Sequence, residues 1–204
     1  MIESEATTEL AIAEARGAPA AAFLPSLAKH RPVTLSVAVL VFSLLTAVSA
    51  YVAVPLGVTP VPMTLQTLVV LLAGALLGPV AGAASQLVYL GMGVAGVPVF
   101  AMGGAGLPWL FGPTGGYLMA FPLAAALTGW IAGPDRGKLR VGLAIAVATS
   151  VIFALGAGWL AVVTDRSFDA VLGAAVQPFL PGALIKAAIA FVVIRQVKTR
   201  TVPR

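Results

Sequence analysis

Residues 33–56 read VTLSVAVLVFSLLTAVSAYVAVPL, 24 positions without a charge. As a helix this stretch is about 36 Å long, against a bilayer hydrocarbon core of about 30 Å. It is long enough to span. The rest of the chain repeats the pattern: of 204 residues 60% are hydrophobic and 9% charged, whereas an ordinary soluble domain carries about 25% charged residues. There is too little polar surface for water, so the expected fold class is an all-α integral membrane protein. The 22 Gly and 15 Pro follow no three-residue period and interrupt Leu, Val and Ala runs, which excludes collagen and points to packed helices with breaks.

The formal charge of +5 sits beside apolar runs, with none of the basic stripe and interleaved aromatics that a nucleic-acid groove needs, so no nucleic-acid partner is expected. Cysteine is absent, which excludes disulfides and Cys-based metal sites. The single histidine, His30, stands in Lys29-His30-Arg31 and flanks a helix.

Working outward, residues 1–32 form a polar tail, with Glu3, Glu5, Glu9 and Glu14 ahead of Arg16, Lys29 and Arg31. A secretory signal ending at Val48-Ser49-Ala50 is disfavoured by the 28-residue polar lead and by the length of the apolar run. The run from Leu65 to Val94 is too long for one helix and is broken at Gly78-Pro79, where proline removes a backbone donor and clashes with the preceding turn. Two short helices, 65–77 and 80–93, are expected, one kinked span being the alternative. Gly96 to Gly115, with Pro98, Pro108 and Pro113, reads as a structured apolar loop. Helices 117–132 and 139–163 follow. Pro178-Phe179-Leu180-Pro181-Gly182 breaks the next run, and 183–197 continues as a short last helix.

The basic residues set the orientation. Lys29 and Arg31, then Arg136, Lys138 and Arg140, then Arg195, Lys198, Arg200 and Arg204 alternate with loops whose only basic residue is Arg166, so six crossings with both termini cytoplasmic satisfy the positive-inside rule. The domain division is a tail (1–32), a six-helix membrane domain (33–197) and a basic tail (198–204), in a multi-pass protein of the bacterial inner (plasma) membrane, in contact with membrane lipid.

Catalysis has little to work with. Asp135, Asp165 and Asp169 are loop residues and the glutamates lie in the tail, so paired carboxylates, a His-based metal site and a serine triad lack their parts. Gly133-Pro134-Asp135-Arg136-Gly137-Lys138 is one residue short of a phosphate loop between its glycines, and Leu139 stands where Ser or Thr would meet magnesium. No enzymatic activity is expected. The exceptional charge is Lys186, an ammonium inside an apolar helix with no intramembrane carboxylate to pair with; it meets either a ligand anion or the headgroup interface. Gln66, Gln86, Tyr89 and Tyr117 supply hydrogen-bonding groups beside the Gly/Pro-rich outer loops, where they serve a ligand or a neighbouring helix. Phe100 and Trp109 can form an apolar wall. On the first helix Ser36, Ser43, Ala47 and Ala50 allow close approach, with Ser43 and Ala47 on one face.

Five phrases carry a family resemblance: VPMTLQTLVVLLAGALLGP (61–79), SQLVYL (85–90), GVPVFA (96–101), FGPTGGYL (111–118) and PFLPGALIK (178–186). In this order they resemble the biotin-specific substrate-binding subunit, or S component, of energy-coupling factor transporters, the BioY family, over nearly everything after residue 33. The resemblance implies a six-helix vitamin-binding protein with an outward pocket, biotin as the transported ligand, no cofactor, and a transmembrane coupling subunit with two ATPases as partners. Residue by residue, it puts Lys186 on the family's lysine, a partner for the vitamin's carboxylate; Gln86 and Tyr89 in the pocket-lining motif of the third helix; and Gly115, Gly116 and Tyr117 in the segment before the fourth. One position departs. The family's Pro-Gly-Asp is here Pro181-Gly182-Ala183, and the absent carboxylate would accept a ureido N–H. The runner-up function is a binding subunit for another small carboxylated vitamin; a membrane enzyme or self-contained channel is the class-level rival.

Overall fold

A computed structural model describes residues 33–165 and 167–197. The two tails, with Lys29, His30, Arg31, Lys198, Arg200 and Arg204, lie outside the described residues, as does Arg166. The chain divides at residue 37: the described part of the first unit, 33–37, is the opening of a helix, and the second unit, Ala38–Arg204, holds the rest.

That helix, α1 (Val33–Tyr51), is apolar on one side, with Val41, Leu44, Leu45 and Val48 exposed, and small or hydroxylated on the other, with Ser43, Thr46, Ala47 and Ala50 buried. Small side chains let the backbones close up. Ser43 Oγ lies 2.7 Å from the carbonyl oxygen of Ser85 and Thr46 Oγ1 lies 3.3 Å from Gln86 Oε1. The Ser43/Ala47 face therefore packs inward, against the helix that carries Ser85 and Gln86.

A two-residue antiparallel ribbon follows, β1 (Ala53–Val54) against β2 (Met63–Thr64), with Ala53 opposite Thr64 and Val54 opposite Met63. Strands this short carry no readable alternation, and the sequence does not announce them. Next come α2 (Gln66–Leu77) and α3 (Pro79–Val94), the two short helices expected on either side of Gly78-Pro79. Gly78 has φ 86°, a left-handed backbone that favours glycine, and Pro79 opens α3, where its missing N–H is not needed. Both helices lie tight on the centre of the fold: a Cβ on Gly74 would fall 2.1 Å from the carbonyl oxygen of Ala125.

The apolar loop is structured as expected, a 3₁₀ turn (Ala101–Gly103) and a five-residue helix, α4 (Leu107–Phe111), with Phe100 wholly buried. Helices α5 (Gly115–Ala132) and α6 (Lys138–Thr164) form the central pair. Beyond them are α7 (Phe168–Ala175), a 3₁₀ turn (Gln177–Phe179) and α8 (Leu180–Gln196). Here the expectation is corrected. The last helix starts at Leu180 rather than 183, because Pro181 occupies its first turn, a position proline tolerates, so the prolines open the helix instead of preceding it.

Among the described residues four helical stretches are long and apolar enough to cross a membrane: Val33–Tyr51, Gly115–Ala132, Lys138–Thr164 and Asp169–Gln196. Helices α2 and α3, of 12 and 16 residues, are shorter. At one end of the bundle, arginines hold the last carbonyls of two helices: Arg136 Nη1 donates to Val197 at 2.9 Å and Arg140 Nε to Ile131 at 2.9 Å, while Arg195 Nη1 reaches the Arg136 carbonyl at 2.7 Å. Cations suit the negative end of a helix dipole. Burial holds the Arg136 guanidinium below its ordinary pKa.

Candidate functional site

A cavity lies among β2, the first turns of α2, α5, α6, the 3₁₀ turn at Phe179 and α8. Its volume of about 70 Å³ is several times the ~10–15 Å³ that one water needs. Most of the wall is hydrocarbon and aromatic: Leu71, Leu118, Phe121, Ile152, Phe153 and Phe179. Polar residues complete it: Thr64, Gln66 and Thr67 at and before the start of α2, Thr114 and Tyr117 at the start of α5, Thr149 on α6, and Lys186 on α8.

Lys186 is 8% exposed, and Nζ donates to the Thr64 carbonyl at 2.9 Å. One carbonyl leaves two ammonium hydrogens and a full charge without compensation. The carboxylates among the described residues, Asp135, Asp165 and Asp169, lie outside the cavity wall. A buried ammonium is costly without an anion beside it, so this cavity suits a ligand with one negative group and a largely apolar body. Among the described residues no group of three or more His, Asp or Glu side chains could hold a metal ion.

The expected site residues separate into three groups. Lys186 and Tyr117 line the cavity. The Tyr117 hydroxyl donates to the Ala175 carbonyl at 2.7 Å, its ring lies 6.2 Å from that of Phe179, and Gly156 on α6 leaves room for it. Tyr89 stands one step behind the wall. It is fully buried, its hydroxyl accepts from Gln66 Nε2 at 2.6 Å, and it lies 3.3 Å from the Val99 carbonyl. With Gln66 Oε1 facing Thr64 Oγ1 at 3.0 Å, the Gln66 amide is held from both sides, and Tyr89 orients a cavity residue.

Gln86, Gly115 and Gly116 are elsewhere. Gln86 is fully buried on the α1–α3 seam, its Nε2 3.0 Å from Ser85 Oγ and its Oε1 facing Thr46. The two glycines let the start of α5 pass against its neighbours: a Cβ on Gly115 would meet the Leu110 carbonyl at 1.8 Å and one on Gly116 the Trp159 side chain at 2.3 Å. Of the wall residues that went unread, Thr64 and Thr67 flank Gln66 in MTLQT and offered a signal as a cluster of hydrogen-bonding groups. Ile152 and Phe153 offered none, since α6 is apolar on every side from Val141 to Val163 apart from Thr149 and Ser150, and those two hydroxyls did not say which of them meets a cavity. Ala183 also lines the cavity, within one turn of Lys186.

The model of the BioY family matches residues 22–203. A probable biotin transporter BioY from Pyrococcus horikoshii is 40% identical over 163 residues, covering 80% of this chain and 95% of that one. The biotin transporter BioY of Rhodobacter capsulatus is 34% identical over 168 residues, 76% of this chain and 87% of that one. Among solved structures, the S-component for biotin from an ECF-type ABC transporter shares the fold, with a TM-score of 0.76 over 82% of this chain and 92% of that one at 24% identity. The family match spans every helix described above, and the chain belongs to the BioY family.

Proposed function

We propose that this protein captures biotin at the outer face of the plasma membrane and is the substrate-binding subunit of a vitamin uptake system. The observation that carries the reading is Lys186, a buried ammonium with no carboxylate partner among the described residues, set in an apolar cavity of a BioY-family chain. Its charge meets the carboxylate of the vitamin, and the hydrocarbon arm and fused rings lie against Phe121, Phe153, Phe179 and Tyr117. No covalent chemistry is involved. The chain binds and releases, and ATP hydrolysis belongs to two ATPase partners joined through a transmembrane coupling subunit.

In this reading six helices cross the membrane, with α2 and α3 as two short crossings whose ends are sheltered by protein, and both termini are cytoplasmic. The contact between Arg136 and Val197 supports it, because it brings the basic 133–140 loop and the end of α8 to the same side. Reporters at Gly137 and the C-terminus should both be cytoplasmic and one near Asp165 external; opposite labelling of the first two would overturn the count.

One observation favours a second ligand. Ala183 puts a methyl group on the cavity wall where the family resemblance calls for a carboxylate, which suits a carboxylated vitamin without ureido N–H groups. Titration calorimetry of the purified chain with biotin, desthiobiotin and biotin amide separates the two: binding of biotin well above its amide supports the first reading, and no binding of any of the three removes it. Uptake into sealed vesicles with and without the coupling subunit and ATPases tests the partners.

A further inference from the structure

Among the described residues two buried side-chain polar atoms lack a hydrogen-bond partner, Arg136 Nε and Thr67 Oγ1. Arg136 uses Nη1 to hold the end of α8. Thr67 has no such second task, and it lines the cavity. Buried polar groups are nearly always satisfied, so an orphaned hydroxyl in a ligand cavity calls for a physical reason.

Position in the helix supplies it. Serine and threonine inside an apolar helix return their hydroxyl to the carbonyl four residues back, and this molecule does so repeatedly: Ser43 to Val39, Thr46 to Phe42, Thr128 to Ala124 and Thr164 to Leu160. Thr67 is in the first turn of α2, and four residues back is Met63, in the extended strand β2, so no helical carbonyl stands beneath it. Its neighbours are already engaged, Thr64 Oγ1 with Gln66 Oε1 and Gln66 Nε2 with Tyr89. The Thr64 carbonyl, three residues before Thr67, receives Lys186 Nζ, and Thr67 and Lys186 line the same cavity. Leu65, the residue before α2, supplies no side-chain cap, and Thr64 Oγ1 accepts only from the Gln66 N–H, at 3.4 Å, so the positive end of the helix adds to the attraction for an anion.

We infer that Thr67 is a ligand-contacting residue, its hydroxyl donating to the anionic group that Lys186 meets. The inference rests on the reading of a carboxylated ligand and goes beyond it by making the carboxylate seat a pair, an ammonium from α8 and a hydroxyl from α2. Closing that seat joins two helices distant in sequence around one charge. Free of ligand, the hydroxyl contributes nothing to folding and costs its desolvation.

The test uses the full chain in detergent or nanodiscs, with Thr67→Val, which replaces the hydroxyl by a methyl group of similar size, Thr67→Ala, which adds no atom, and Thr67→Ser, which keeps the hydroxyl. Biotin and biotin amide are titrated by calorimetry, and thermal unfolding is followed without ligand. Biotin should bind Thr67→Val and Thr67→Ala about 10- to 100-fold more weakly than the parent, the range for a hydrogen bond to a charged group. Biotin amide should lose less, Thr67→Ser should stay near the parent, and the unliganded melting temperature should not fall in Thr67→Val. Parent-like biotin binding by Thr67→Val, equal losses for biotin and its amide, or a Thr67→Ser variant as weak as Thr67→Val would each overturn the assignment while leaving biotin capture standing. A parent chain that does not bind biotin removes both.

Discussion

The α1–α3 seam and the cavity hold similar polar side chains in a similarly apolar setting, yet they do opposite things with them. On the seam every hydroxyl and amide is engaged: Ser43 with Val39 and Ser85, Thr46 with Phe42 and Gln86, Ser85 with Gly82, Gln86 with Ser85. In the cavity Lys186 has one carbonyl for a full charge and Thr67 has nothing. In hydrocarbon an unsatisfied polar group costs free energy, so the seam is where polarity stabilises the protein and the cavity is where stability is held in reserve for a ligand. Which of the two a polar residue belongs to is decided by its partners rather than by its type.

The largest effect should come from the cavity. Lys186→Met keeps much of the apolar stem and removes the charge, so folding should survive while biotin affinity falls by about 10- to 100-fold. Biotin amide, which lacks the charge, should lose much less. Calorimetry of both ligands on both proteins gives the coupling, and equal losses would make Lys186 a structural residue and erase the contrast between the two regions.

Ala183→Asp adds an acceptor to the same wall. If the ureido ring is within its reach, biotin affinity should rise by up to about tenfold, with desthiobiotin, which keeps the ureido group, rising in parallel. The gain is limited because Lys186 lies three residues on, near the same helix face, and competes for the new carboxylate. A fall in affinity would show that this site is adapted to a methyl group at 183.

Gln86→Met carries the comparison to the seam. It strips Thr46 and Ser85 of their amide partner without changing side-chain volume much, so the chain should lose about 1–3 kcal/mol of stability and bind biotin as before. Reduced affinity with unchanged thermal unfolding would restore Gln86 to the ligand site and break the division.

The smallest effect is expected between the two regions. Tyr89→Phe leaves the ring against Phe100, 5.6 Å away and edge-on, and removes only the hydroxyl that holds Gln66. Loosening one amide in the wall should cost a few-fold in affinity, about 0.5–1.5 kcal/mol, visible in calorimetry as a weaker enthalpy. A loss as large as that of Lys186→Met would mean that Tyr89 touches the ligand itself.

Much of this was legible in the residues. The composition alone names hydrocarbon as the solvent, because 9% charged residues cannot cover a water-exposed surface. Gly78-Pro79 announces the α2–α3 break, since proline in mid-helix loses a donor wherever it occurs. Lys186 stands out because an ammonium in an apolar helix is exceptional in any fold. Each of these is a local property, decided by a residue and its near neighbours in the chain.

What only the tertiary structure decided is who satisfies whom. Ser85, Gln86 and Tyr89 are adjacent on α3 and all buried, yet two face α1 and one backs the cavity through Gln66. The bond from Lys186 to Thr64 joins residues 122 positions apart, and that from Ser43 to Ser85 joins residues 42 apart. Where a helix is apolar on every side no alternation marks which side meets a neighbour and which a cavity, so Phe153 could not be picked out of α6, nor Thr149 told from Ser150 beside it. Hydrogen bonding inside a membrane is a pairwise account settled across the fold, and a single chain read in order shows the donors and acceptors but not their pairing.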